Sequence, residues 1–194
     1  MIDLLIRSLV SLTSDELLEL TRFDCHVKGL HSVPLENIDG KLKRLFFTSP
    51  KHELYKNCDI SGLVLGAHSH RYDLQLTGLV GDSYNVMIER GEGVRLFEHV
   101  YFNESRIVNS GESLGYIESI QKLGRIFLPY NKIHTIYVPR GTMACWMVEE
   151  RETQSDHTVL LRSDDQPVVC GYRKPESAEH VRDFVEFWLE MACE

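Results

Sequence analysis

Between residues 60 and 172 the chain strings together short runs rich in β-branched and aromatic residues, separated by Gly-containing breaks. Strands are predicted at 62–68, 70–80, 83–89, 94–102, 125–129, 133–138, 142–149 and 157–162, with 103–123 as a long connection. Strands so closely spaced, with no helix between them, indicate a mainly β fold, an antiparallel sandwich or barrel. The two ends read differently. After Pro175, the residues Val181, Phe184, Val185, Trp188 and Leu189 recur at the helical period, which predicts a helix over 175–192 whose apolar stripe packs on the barrel or, alternatively, on a second copy. Near the start, Thr13, Ser14, Asp15 and Glu16 form a capping sequence before Leu17, Leu18 and Leu20, and Leu5, Leu9 and Leu12 have a helical spacing of their own. Val33, Pro34 and Leu35 open another predicted short helix running toward Leu45, which Gly40 weakens.

A length of 194 residues suits one domain with a full core. The expected organisation is a single domain over 1–194, with a helical N-terminal extension (1–58), a β-barrel (60–172) and a C-terminal helix (175–192). A formal charge of −8 disfavours an extended phosphate-backbone interface, because such binding depends on clustered Lys and Arg; no nucleic-acid partner is expected. Lys41, Leu42, Lys43 and Arg44 form the one compact basic cluster and read as a solvated helix end. The five cysteines are widely spaced with no Cys-x-x-Cys pair, which argues against a disulfide framework or a zinc knuckle. Asp3 and Arg7 interrupt the apolar N-terminus, so it does not read as a signal peptide, and no segment has the apolar length of a membrane helix; a soluble, cytoplasmic protein is expected.

The candidate chemistry lies in the histidines. Side chains alternate faces along a strand, so His68 and His70 project from one side, where two imidazoles can reach one ion, and His134 stands on another predicted strand. Gly62, His68, Ser69, His70 and Gly81 resemble the first motif of the cupin family, and Gly124, Pro129 and His134 resemble the second, with the Pro-to-His spacing kept. The resemblance spans roughly residues 62–148. It implies a double-stranded β-helix, a jelly-roll barrel, flanked by the N-terminal helices and the C-terminal helix, and a homodimer, since small cupins commonly pair through their sheets. This chain departs from the pattern at two points. Asn131 replaces a Gly, which is tolerable because Asn also enters the left-handed region. Gln75 stands where the family has a Glu ligand, and a neutral amide oxygen offers a divalent cation no charge. A metal set of His68, His70 and His134 is therefore expected, with Gln75 as a weak fourth candidate; Asp73 is set an odd three residues from His70, on the opposite strand face.

Three neutral imidazoles leave coordination positions open on Fe(II), Mn(II), Ni(II) or Zn(II). The resemblance favours Fe(II), because thiol dioxygenases are cupins that use three histidines without a carboxylate. The leading expectation is thus a metal-dependent oxygenase of the dioxygenase type acting on a small polar molecule. The alternatives are a non-catalytic ligand-binding or regulatory cupin and a metal-dependent isomerase or hydrolase. Tyr72, Arg125, Tyr137 and Arg140 flank the motifs and are candidates to orient a substrate through a phenol or a guanidinium. His26, His31, His52, His99, His157 and His180 fall outside the motifs and read as structural or exposed, His99 being the first exception to consider. Ser69 and Thr135 directly follow their histidines and face away from them, which excludes the two-histidine phosphoesterase pattern. Cys145 sits in an apolar strand without an adjacent base and reads as inert.

Overall fold

A computed structural model describes residues 12–38, 41–102, 106–166 and 171–193. The predicted helical spacing at Leu5 and Leu9 lies outside them. Helix α1 (Ser14–Leu20) closes the predicted capping box: the Glu16 amide donates to Thr13 Oγ1 at 3.2 Å while its carboxylate accepts from the Thr13 amide at 2.9 Å.

The segment predicted as a helix over 33–45 is instead an antiparallel hairpin, β1 (Leu30–Ile38) and β2 (Lys41–Thr48). Val33 and Leu35 on one strand, and Leu45 and Phe47 on the other, are buried at alternate positions, a period of two that places them on one face of the sheet. Pro34 fits because β1 is an edge strand and its register slips between Pro34 and Glu36; the missing N–H interrupts no ladder there. Lys41, Lys43 and Arg44 therefore belong to a strand, not to a helix end. Of the expected helical extension over 1–58, the described residues show α1 and a 3-10 turn, Leu54–Cys58; a second such turn is Ile60–Gly62.

The remaining strands are β3 (Ala67–His68), β4 (Tyr72–Val80), β5 (Tyr84–Phe102), β6 (Arg106–Lys122), β7 (Arg125–Leu128), β8 (Ile133–Tyr137), β9 (Cys145–Thr153) and β10 (His157–Arg162). The expected strands at 83–89 and 94–102 are one long strand, β5, and the expected connection over 103–123 contains its partner β6. The register of that hairpin shifts between Arg90 and Val94, where Gly93 lies so close to the Gly115 carbonyl that a Cβ would come within 1.9 Å of it. Glycines in a strand usually read as breaks; these permit a close backbone approach within one.

Two five-stranded sheets form a β-sandwich, ordered β1-β2-β9-β4-β7 and β10-β3-β8-β5-β6. The first half of β5 pairs with β8 and its later half with β10, so β3, β8, β5 and β10 form a closed circuit of paired strands. One core cluster lies between the sheets and includes Leu30, Leu74, Leu76, Ile136 and Trp146. Helix α2 (Ala178–Cys193) covers β1, β2 and β9: Val181, Val185, Trp188 and Leu189 are buried against Val33, Leu45, Phe47 and Cys145, and Trp188 Nε1 donates to the Thr48 carbonyl at 2.8 Å. Burial pushes the Cys145 thiol far up, in keeping with an inert cysteine. Among the described residues no helix is long and apolar enough to cross a membrane.

Candidate metal centre

Strand β3 contributes two paired residues, but the chain stays extended beyond it. The Ser69 amide donates to the Val159 carbonyl, and the His70 amide to the Tyr130 carbonyl. Ser69 Oγ accepts from the Val159 amide at 2.9 Å, so the serine serves β10 while the histidines on either side of it turn inward. On the other flank, His68 stands directly opposite His134 in the β3–β8 pair. Facing residues in an antiparallel pair hold their Cβ atoms about 5 Å apart, which brings the third imidazole to the first two. Gly66 makes room: a Cβ there would meet Leu160 Cδ1 at 2.8 Å.

The three rings converge. Their centroids are 4.6 Å (His68–His70), 5.0 Å (His70–His134) and 5.6 Å (His68–His134) apart, and one nitrogen from each lies within 4.8 Å of the others. The Nε2 atoms of His70 and His134 are 2.8 Å apart. Two imidazole nitrogens at right angles on one ion, each ~2.1 Å from it, would stand ~3.0 Å apart, so this pair is close to a coordinating geometry. The outer nitrogens are committed. His68 Nδ1 donates to the Gly66 carbonyl at 3.0 Å and His134 Nδ1 to Asn85 Oδ1 at 2.6 Å, which leaves both Nε2 lone pairs free for an ion. Burial keeps the imidazoles neutral, as ligation requires: it lowers His68, and with help from neighbouring imidazoles lowers His70 and His134 well below the usual histidine range. A three-histidine group of this kind can hold a divalent metal.

The other sequence candidates lie elsewhere. Gln75 faces away, because Leu74 and Leu76 on either side of it line the cavity; its amide nitrogen donates to the Ile126 carbonyl at 2.9 Å. Asp73 Oδ1 accepts from the Tyr130 amide at 2.9 Å and joins no ligand cluster. Tyr72 packs against the core between the sheets, Arg125 is exposed on β7, Tyr137 lies against Tyr84 at 5.5 Å, and the Arg140 guanidinium sits over the Tyr55 ring. None of Tyr72, Arg125, Tyr137 and Arg140 lines the cavity that holds the histidines. They flank the motifs in sequence, but Arg125 and Tyr137 are out of phase with the cavity, Arg140 lies past a strand end, and Tyr72 packs into the core where the register shifts before Leu74.

That cavity, of about 340 Å³, runs between the sheets. Its size is ordinary for a small-molecule site. Phe46, Leu74, Leu76, Trp146 and Val148 form one wall, with Phe46 and Trp146 stacked at 5.6 Å. This wall is apolar, unlike the surroundings expected for a small polar substrate. The opposite wall carries residues that the motifs did not single out: Tyr101 from β5, and Thr158, Leu160 and Arg162 from β10. The alternation of 158, 160 and 162 was readable as one strand face, but which face met the cavity depended on pairing with β3. His26 also lines the cavity, from a loop in which it and Asp24 take left-handed backbone conformations, φ 65° and 51°. Non-glycine residues hold that conformation where surrounding contacts fix it. Here Asp24 accepts from the Gly29 amide and from Arg173 Nε, both at 2.8 Å, and the His26 amide donates to the Gly171 carbonyl. His99 is buried on β5 opposite Leu160, and neither ring nitrogen has a hydrogen-bond partner among the described residues.

A broader depression of about 730 Å³, lined by Arg71, Tyr130 and 153–157, is open surface and lacks such a cluster.

Comparison with protein-family models and with curated proteins returns no match. Among solved structures, the polyketide cyclase RemF from Streptomyces resistomycificus is similar over 85% of this chain and 86% of its own, at 13% identity and a TM-score of 0.36. A likeness that slight bears on neither the fold nor the chemistry of this chain.

Proposed function

We propose that this protein is a three-histidine metal-dependent enzyme of the cupin kind, an oxygenase that works on a small molecule held between its sheets. The observation that carries the reading is the convergence of His68, His70 and His134, with Nδ1 of His68 and His134 engaged by protein oxygens. Fe(II) is the metal that the resemblance to thiol dioxygenases favours, and the nitrogen donor set suits Zn(II), Ni(II) or Mn(II) as well. When bound, such a metal supplies open positions at which a substrate and O₂ are brought together and activated. The chain's own contribution is positional. Asn85 and the Gly66 carbonyl set the tautomer and tilt of two ligands, and the apolar wall shares the cavity with the cluster.

The test is metal content by mass spectrometry of protein purified without chelator, beside a His68→Ala/His134→Ala double variant, followed by oxygen-electrode measurements on the iron-loaded protein. About one equivalent of metal that the variant lacks supports the site. A wild type that takes up neither Fe(II) nor Zn(II) overturns it. The second reading, a binding module without turnover, draws on the cavity itself, which is enclosed by residues from both sheets irrespective of any ion. Saturable ligand binding with no oxygen uptake from the iron-loaded protein would favour that reading.

A further inference from the structure

Charge is distributed unevenly between this protein and its cavity. The chain carries a net charge of −8, with 29 acidic residues, yet no Asp or Glu lines the cavity among the described residues. The ionisable or ligating groups there are His26, the three clustered histidines, Tyr101 and Arg162. Three neutral ligands would leave the full charge of a divalent cation uncompensated.

Arg162 is well placed for an anchor. It lies two residues beyond Leu160, the direct partner of His68, on the same face of β10. Its stem passes Gly66, where a Cβ would come within 3.1 Å of Arg162 Cγ. Asp164 receives Nε and Nη2, each at 3.0 Å, which fixes the plane of the guanidinium and leaves Nη1 outside that fork. Across the cavity the wall of Leu74, Leu76, Trp146 and Val148 offers no polar side chain except the indole N–H of Trp146.

We propose that the ligand of this site is an anionic amphiphile: an apolar, ring-bearing body that lies on the wall of Leu74, Leu76, Trp146 and Val148, with one carboxylate held by Arg162. The inference rests on the reading of the histidine cluster as the reactive centre and assigns the class of molecule that it serves. An apolar body is required because a fully hydrated small polar molecule would leave the wall wetted and unpaired with anything. An anion is favoured because Arg162 keeps Nη1 outside its fork with Asp164, and no carboxylate among the described lining residues opposes a negative ligand.

The test is isothermal titration of the full-length protein, as purified and after zinc loading, with 2-naphthoate, with its neutral analogue 2-naphthalenemethanol, and with acetate. Naphthoate should bind at least about tenfold more tightly than either of the others, since one well-formed charge-assisted hydrogen bond separates it from the alcohol. Arg162→Met should weaken naphthoate by about tenfold and move the alcohol by less than about threefold. Asp164→Asn, which removes the competing carboxylate, should strengthen naphthoate. A purely structural role for the Arg162–Asp164 pair predicts that both variants shift naphthoate in the same direction, and that result overturns the inference. So does equal binding of naphthoate and the alcohol, or no binding of either. Zinc content measured on the same samples separates the two readings. Arg162-dependent naphthoate binding in a protein that takes up no zinc leaves this inference standing while the metal centre falls; zinc uptake with no preference for the anion does the reverse.

Discussion

Asn85 Oδ1 lies 2.6 Å from His134 Nδ1, and both residues are buried. Asn85 sits on β5 and His134 on β8, with Asn85 paired to Ile136 one turn of the pleat away. The amide therefore reaches the imidazole from the neighbouring strand, fixes its tautomer and aims Nε2 at His70. Replacing Asn85 by Ala should lower metal affinity by roughly 10–100-fold, the usual cost of losing such an orienting partner. Competition titration against a metal-sensitive dye measures it. An unchanged affinity would mean that His134 is oriented without Asn85.

Gln75 and His70 provide a paired comparison. Gln75→Ala should leave metal stoichiometry and affinity at the wild-type values, because the side chain bonds to the Ile126 carbonyl on the far face of β4. His70→Ala should abolish tight binding of one equivalent, since its Nε2 stands 2.8 Å from that of His134. Loss of metal in the Gln75 variant, with its fold intact by circular dichroism, would place that residue in the site after all.

His99 is 1% exposed and its ring nitrogens have no hydrogen-bond partner among the described residues. A buried polar group left unsatisfied costs on the order of 1–3 kcal/mol, and an apolar side chain of similar size removes that cost. His99→Leu should therefore raise the thermal midpoint by several degrees. A lower midpoint in calorimetry would show that the imidazole contributes through a partner that stabilises it.

Asp24 predicts an acid-sensitive loop. Burial acts to raise its pKa, but the Gly29 amide and the Arg173 guanidinium prevail and hold the carboxyl below the usual range. A folded pKa below the unfolded one means that the stabilisation is present above the unfolded value, near pH 4, and is lost as pH falls through the folded one. Asp24→Asn should accordingly lower stability at pH 7 and leave it almost unchanged near pH 2, as read from denaturant midpoints. The same substitution should loosen His26, which the Asp24 loop presents to the cavity. Equal destabilisation at both pH values would assign the effect to packing instead of charge.

Much of this protein is a consequence of local pattern. The capping box at Thr13 and Glu16, the apolar stripe from Val181 to Leu189 and the shared face of His68 and His70 depend on neighbours within a turn or two of pleat, so they are legible in the residues alone. The hairpin of β1 and β2 reads locally as a helix because Pro34 and the basic cluster at 41–44 satisfy helix-start and helix-end rules equally well. Pairing of Phe46 and Phe47 with β9 overrides that local preference. The rest rests on long-range pairing. Strand register places Gln75 outside and Arg162 inside, cross-strand pairing sets His134 against His68, and a loop far away in sequence brings His26 to the cavity. These depend on which strand lies beside which. A one-residue slip in any of those pairings would turn every side chain to the opposite face, and local sequence carries no measure of that choice.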